Sequence, residues 1–204
     1  ARLHIELDEE ATWREAGVGV PGAIMQGLTY DAGIVSSMDA GRFNAPASAV
    51  RSMRTSFSNA AAHDFAVYSA LNYRGIPGLA VGASVFTGNT GQNGASDAAL
   101  KSVNGRLLLW DIHAQYRLGG LELRGLYARG TLGDADKITA AANTRSGSNS
   151  AIAPSSFWGY YAEAGYHFQL GDEMELSPFA RYERYNTQAS VPSASAIALL
   201  LDVS

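Results

Sequence analysis

The side chains best suited to chemistry recur at every second position of a few short stretches of the chain. They are carboxylates, imidazoles, an amide and guanidiniums: Asp111, His113, Gln115, Arg117, Glu122, Arg124, Glu163, His167, Arg181 and Glu183. If alternate residues share one face of a strand, these groups can pair across strands, or they can create a transverse field that sorts solutes by charge. In the first role the groups only stabilise the sheet, and in the second they influence which charged solutes pass along its polar face.

The elements that position these groups are predicted most clearly in residues 105–130. Apolar residues alternate with the polar ones from 108 to 118, and a strict period of two indicates a strand with two unlike faces. Gly119-Gly120 then favours a tight hairpin, because glycine readily adopts positive φ. A two-residue loop places Arg117 opposite Glu122 and Ile112 opposite Tyr127, so polar residues meet polar ones and apolar residues meet apolar ones.

A second hairpin is predicted in residues 158–185. A three-residue turn, Gly171-Asp172-Glu173, places Phe168 opposite Leu176 and Glu163 opposite Arg181, although Pro178 cannot donate to the ladder. Six large aromatic residues of the two hairpins share the apolar parity: Trp110, Tyr116, Tyr127, Trp158, Tyr160 and Tyr166. The parity favours a membrane-interface girdle, and sugar stacking is the weaker interpretation.

The connections between predicted strands alternate in length. Further strand candidates lie at 2–8, 12–20, 24–35, 64–74 and 79–85, with an apolar segment at 196–203. Short connections are predicted at 21–23, 75–77, 119–120 and 171–173, and long ones at 36–62, 88–104 and 131–156, with a helical turn near 49–53. Tight turns on one side and long loops on the other are typical of a chain that crosses a bilayer in strands. The sequence therefore predicts an all-β, antiparallel, up-and-down transmembrane β-barrel of about ten strands, as one domain spanning 1–204.

Composition excludes several classes of function. The chain has no Cys, a formal net charge of −4 and 15 basic residues, only two of which are Lys. It therefore has no disulfide framework, and its acidic balance argues against nucleic acid as a partner. No run of about 20 apolar residues predicts a transmembrane helix.

Motifs for catalysis and for cofactors are weak. Asp134-x-Asp136 is too short for a calcium loop, and the glycines of 88–94 open no helix after a parallel strand, so a phosphate cradle is disfavoured. No G-x-S-x-G elbow is present. We expect no cofactor, no metal site and no enzymatic activity. A barrel hydrolase with a lipid-facing Ser and His is the enzyme alternative, but every His within a predicted strand has polar parity.

Five segments of the chain resemble a known family. ATWREAGVGV (11–20), GLTYDAGIV (27–35), YRGIPGLAVGASVFTGNTGQ (73–92), YRLGGLELRGLYARG (116–130) and SPFARYERYNTQASVP (177–192) are similar to the phosphate-selective porin O and P family of Gram-negative outer membranes. The resemblance implies part of a sixteen-stranded barrel of roughly twice this length, multi-pass in the outer membrane, surrounded by its lipid and assembled as a homo-trimer. It also implies anions such as phosphate as solutes, whereas two Lys and a net charge of −4 argue against phosphate selectivity.

Three functions remain from the sequence. The first is a porin, a water-filled channel for passive diffusion of small hydrophilic solutes or ions, with the ten alternating polar residues lining the pore. The second is a non-conducting outer-membrane barrel that serves as anchor or sheath for another envelope protein. The third is a soluble ligand-binding β-barrel whose aromatic face points inward.

Overall fold

A computed structural model describes residues 16–48, 50–55, 63–170 and 174–193. The predicted strand at 2–8, the predicted turn at 171–173 and the apolar segment at 196–203 lie outside these residues. Of the residues described, none belongs to a helix long and apolar enough to cross a membrane.

The main element is a sheet of eight antiparallel strands. Its strands are β1 (Gly17–Met25), β2 (Leu28–Ser36), β3 (Phe65–Tyr73), β4 (Leu79–Gly88), β5 (Leu107–Leu118), β6 (Leu121–Leu132), β7 (Ser156–Tyr166) and β10 (Phe179–Ser190). Each strand pairs with the next one along the chain, and a short hairpin of β8 (Phe168–Gln169) and β9 (Glu175–Leu176) lies between β7 and β10. The predicted antiparallel up-and-down architecture is confirmed, but β1 and β10 do not pair with each other, so the described sheet is open.

The registers of both predicted hairpins are confirmed. Arg117 pairs with Glu122 and Ile112 pairs with Tyr127 around a turn in which Gly119 has a φ of 57°. In the second hairpin Glu163 pairs with Arg181 and Phe168 pairs with Leu176. The ladder is interrupted at Pro178, which has no N–H but accepts from the Tyr166 amide at 3.0 Å.

The prediction of a turn at 21–23 is wrong. β1 continues through Pro21, which pairs with Asp31, and the chain reverses at residues 26–27 instead, where Gly27 has a φ of 82°. Proline is tolerated in this position because β1 is at the edge of the described sheet, where a missing donor breaks no second ladder. The next strand accordingly begins at Leu28, four residues later than predicted.

The sheet has two unlike surfaces. We call the face bearing Ile112, Tyr127 and Tyr160 the apolar face, and the face bearing Asp111, Glu122 and Glu163 the polar face. The apolar face is open to its surroundings: Val18 is 78% exposed, Val67 51% and Ile112 53%. Within the described residues no second layer covers it.

The three long connections form a structure of their own, which we call the loop layer: residues 37–48 and 50–55, 89–105, and 133–155. It contains short 3-10 helices at Ala40–Arg42, Pro46–Ser48, Arg51–Met53, Gln92–Gly94 and Ala98–Leu100. The turn at Arg51–Met53 confirms the one predicted near 49–53. The connection predicted as a loop at 131–156 instead contains helix α1 (Ala135–Ser146), whose small residues allow close packing.

The hydrophobic core lies in the loop layer. Its members include Met38, Phe43, Met53, Leu100, Ile138 and Ala142, all between 0% and 2% exposed. The core also takes in Leu107 and Leu132 from the ends of β5 and β6, with Phe86, Leu109 and Phe157 packed against it. These strand residues share the parity of Asp111 and Glu122, so the loop layer covers the polar face at its loop end.

Candidate functional site

A cluster of charged side chains occupies the opposite, turn end of the polar face. Its centre is the Glu122 carboxylate, which is 6% exposed. It accepts hydrogen bonds from Gln115 Nε2, Arg117 Nη2 and Arg124 Nε, each at 2.7 Å. Three donors from two adjacent strands therefore converge on one carboxylate, as the register of the hairpin requires.

The cluster continues across β7 and β10. Glu163 lies 3.5 Å from Arg124 and 3.7 Å from Arg181, and Arg181 also bonds Glu183 at 3.0 Å. The Arg181 guanidinium lies over the Tyr161 ring, 3.9 Å from its centroid, in a cation–π contact. Acidic and basic groups thus alternate along the wall, and each described guanidinium of the cluster has a carboxylate partner.

His167 connects the cluster to the β8–β9 hairpin. Its Nε2 lies 2.9 Å from Glu122, and its Nδ1 lies 2.8 Å from Glu175 and 2.9 Å from the Ser177 hydroxyl. Hydrogen bonds to Glu175, and then to Glu122, raise the pKa of His167. The Ser177 hydroxyl and then His167 lower the pKa of Glu175. A doubly protonated imidazole can donate to both carboxylates at once, whereas a neutral one can donate to only one.

Asp111 and His113 lie apart from this cluster, in the middle of the polar face. His113 Nδ1 is 2.8 Å from Asp111 Oδ1, and Ser84 donates to the other oxygen of the same carboxylate. The carboxylate therefore stands between the hydroxyl and the imidazole, whereas a nucleophilic triad needs the imidazole between them. The arrangement fits a structural or solute-contacting role.

Eight of the ten polar residues singled out in the sequence are thus brought together, and two form the separate pair. Glu175 and Ser177 also join the cluster, through the β8–β9 hairpin, and are not among the ten residues. Their signal is the parity that they share with Arg181, together with the predicted register that places Ser177 opposite His167.

Tyr68, whose hydroxyl donates to Asp31 at 2.7 Å, is also not among the ten residues. The Tyr68 ring lies where a Cβ on Gly19 or Gly33 would collide with it. Gly19, Gly33 and Tyr68 lie in one row across β1, β2 and β3, so the signal is a pair of glycines beside a tyrosine in that row.

The six aromatic residues all lie on the apolar face and contact their neighbours. The Trp110 and Tyr127 rings are 5.4 Å apart, Trp158 and Tyr160 stack at 5.9 Å, and Tyr166 contacts Phe168 at 4.6 Å. Tyr116 pairs with Leu123. The girdle predicted from their parity stays a prediction.

The turn-end cluster borders a shallow cleft of about 290 Å³, lined by residues that include Glu122, Arg124, Glu163 and Phe179. Within the part of the chain that the structure describes, no three His, Cys, Asp or Glu side chains are grouped so that they could hold a metal ion. The cleft is instead formed by groups that neutralise one another, and this suits contact with water and hydrated solutes.

Comparison with known proteins adds one relative. No family model matches the chain. It is 30% identical over 188 residues to an uncharacterized protein of Aquifex aeolicus (strain VF5), a match that covers 89% of this chain and 41% of that protein. The chain therefore spans about two fifths of the length of the relative it matches.

Proposed function

We propose that the chain forms part of the wall of an outer-membrane β-barrel porin, a water-filled channel for passive diffusion of small hydrophilic solutes or ions. The observation that carries this proposal is the sheet with two exposed and unlike faces. An apolar face with aromatic residues suits lipid, and a polar face with paired charges suits a wet lumen. The resemblance to the phosphate-selective porin O and P family points the same way.

The open edges of the sheet support a larger barrel. An unpaired strand edge is not tolerated in hydrocarbon, because its N–H and C=O groups find no partner there. In a membrane β1 and β10 must therefore be paired, and further strands of a longer polypeptide can do this. The relative that extends well beyond the matched region is consistent with such strands. The proposal includes a closed barrel of about sixteen strands and its assembly as a homo-trimer.

Weak charge selectivity follows from the turn-end cluster. Arg117, Arg124 and Arg181 are compensated by the carboxylates of Glu122, Glu163 and Glu183. Asp31 and Asp111 add further negative charge to the polar face. A wall of this kind has no excess of positive charge, so it favours general diffusion of small solutes over a channel that is specific for phosphate.

A second candidate is supported by the loop layer. This layer packs on the polar face at the loop end and therefore narrows the proposed lumen. If it fills the whole cross-section, the lumen is closed. A closed lumen would suit a non-conducting barrel that anchors or sheathes another envelope protein. The soluble ligand-binding barrel is less well supported, because it needs the apolar face inside, whereas the loop layer packs on the other face.

Conductance of the intact gene product distinguishes these functions. The protein is extracted in detergent and inserted into a planar bilayer, and the reversal potential is recorded under a salt gradient. We expect stepwise conductance. The reversal potential should be near zero, or shifted slightly in the direction that indicates cation selectivity. Detergent-dependent protein without conductance favours the anchor. Protein that stays soluble and monomeric without detergent overturns the membrane assignment.

A further inference from the structure

The basic residues of the apolar face lie between its middle and its loop end. Within the described strands and their direct continuations, Arg106, Arg129 and Arg184 are the charged residues of this face, and no Asp or Glu shares it. All three are exposed, and Arg106 and Arg129 lie toward the loop end. Arg184 lies in the same row as Ile112, near the middle of the face, and its guanidinium is close to the ring of Trp158, which pairs with Asn186 two residues nearer the loop end. The turn end of the same face presents residues such as Leu79, Leu118 and Leu121 instead.

The register fixes the neighbours of each arginine. Arg129 pairs with Trp110 on one side and Trp158 on the other, and Arg184 pairs with Tyr160. The Arg184 guanidinium lies 6.0 Å from the centroid of the Trp158 ring. Arg106 continues β5 beyond its first residue, and its Nε reaches the outward-facing Thr87 hydroxyl at 3.4 Å. Arg129 and Arg184 therefore stand among tryptophan and tyrosine rings, whereas Arg106 lies beside a threonine.

Their spacing suits two adjacent ligands, one between Arg106 and Arg129 and one between Arg129 and Arg184, because Arg106 and Arg184 are too far apart to share a phosphate. From ordinary strand spacing and rise, the Cα atoms of Arg129 and Arg184 are roughly 12 Å apart, and those of Arg129 and Arg106 roughly 14 Å apart. Arginine side chains are long enough to bring their guanidiniums closer together than this. No described carboxylate forms an ion pair with any of the three, in contrast to every arginine of the turn-end cluster.

We infer that Arg106, Arg129 and Arg184 form a binding site for the phosphate of anionic lipid headgroups, in the leaflet that surrounds the loop end of the barrel. This inference rests on the proposed membrane function. A guanidinium binds phosphate oxygens in a bidentate manner, and tryptophan and tyrosine prefer the depth of the headgroups. Arginine on a lipid-facing strand is tolerated near the interface because its stem lies in the apolar layer while its head reaches the phosphates.

The test measures lipid retention on the intact protein by native mass spectrometry, after release from micelles that contain phosphatidylglycerol or phosphatidylcholine. Phosphatidylglycerol is expected to remain bound in preference. The double variant Arg129→Gln/Arg184→Gln is expected to weaken its apparent Kd about tenfold or more, because two charge-assisted contacts are removed. Arg129→Lys/Arg184→Lys keeps the charge but loses the bidentate geometry, so its apparent Kd is expected to lie between those of the wild-type protein and the glutamine variant.

The matched control is Arg51→Gln/Lys101→Gln, which removes two exposed charges from the loop layer and should leave lipid retention unchanged. Equal retention of both lipids, or an equal loss in the control, overturns the inference. Displacement of the lipid by inorganic phosphate at similar affinity also overturns it, because the site would then take a free anion. Bilayer recordings on the same preparation separate the two proposals: conductance without a lipid preference overturns this site alone, whereas protein soluble without detergent overturns both.

Discussion

The sheet and the loop layer bury their hydrophobic residues in opposite ways. In the loop layer Phe43 and Ile138 are 0% exposed and belong to one contiguous core. In the sheet Val18 and Ile112 are 78% and 53% exposed, although both lie in strands that are paired with their neighbours. The loop layer thus resembles a small globular core, whereas the sheet needs an apolar medium or partner outside itself.

The comparison also separates two kinds of polar interaction. Gln92, in the loop layer, is 0% exposed and donates to the Ser37 and Met38 carbonyls at 3.1 and 3.2 Å, while its carbonyl accepts from the Asp64 amide. These bonds hold the first two long connections together. The polar groups of the sheet are mostly charged, paired with one another and open to water, so they contribute less to stability and more to the field along the wall.

The largest effect is expected from Phe43→Ala. Removing a fully buried aromatic side chain leaves a cavity, and this typically costs about 3–5 kcal/mol. We expect the loop layer to open locally, with faster amide hydrogen exchange in residues 37–48 and 133–155. Phe65→Ala is the control, because that side chain is 59% exposed on the apolar face. If both substitutions change exchange in the loop layer equally, its core is not independent of the sheet.

The next effect tests the surroundings of the apolar face. Ile112→Arg places a charge near the middle of that face, where a lipid-facing position costs about 2–4 kcal/mol. The same change at a site exposed to water costs within about 0.5 kcal/mol. Urea unfolding of the intact protein from lipid vesicles measures the difference. Ser102→Arg, in an exposed part of the loop layer, is the reference. A loss no larger than that of Ser102→Arg would place water, and not lipid, against Ile112.

What the sequence predicted well follows from local patterns. The register of β5 and β6 was correct because a period of two and a Gly-Gly turn leave one pairing that keeps both faces consistent. Glu163 and Arg181 were paired for the same reason. The polar parity of the candidate site was therefore predictable from residue spacing, without knowledge of what lies on either face.

The core residues and the helix that the sequence did not predict depend on contacts between distant segments. Phe43 and Met53 are isolated apolar residues without periodicity, and they become buried only when three connections meet. Arg145, at the end of α1, bonds both the Phe43 carbonyl and the Asp97 carboxylate, across 102 and 48 residues of chain. Helix α1 is not predicted from the sequence, because its small residues show little difference in hydrophobicity between the faces of the helix. Its sequence therefore resembles that of a polar loop.

A smaller effect concerns pH at the junction of the sheet with the β8–β9 hairpin. The pKa of His167 is raised above its ordinary 6.5, so its stabilising contribution is complete below 6.5 and is lost as pH rises through the raised value. The pKa of Glu175 is lowered from 4.5, so its contribution is present above 4.5 and is lost as pH falls through the lowered value. The junction is expected to be tightest between these limits.

Amide exchange of Phe168 and Leu176 across the pH range, corrected for intrinsic rates, measures this tightening. His167→Gln removes the basic partner and should abolish the loss of protection at high pH, while the loss at low pH remains in reduced form. An unchanged profile in that variant would mean that His167 does not hold the hairpin, and that backbone pairing alone is sufficient.

The smallest effect on stability and the clearest on conduction are expected from Arg181→Gln. Arg181 is 41% exposed, and its pairs with Glu163 and Glu183 lie at the water-facing surface, so the free energy of unfolding should change by no more than about 1 kcal/mol. The same substitution releases two carboxylates from one guanidinium. If the polar face lines a channel, the reversal potential should shift toward cations. Lys101→Gln removes a charge from the loop layer and should shift it less. A reversal potential that moves equally in both variants would assign selectivity to net charge, and not to the ordered wall that distinguishes the sheet from the loop layer.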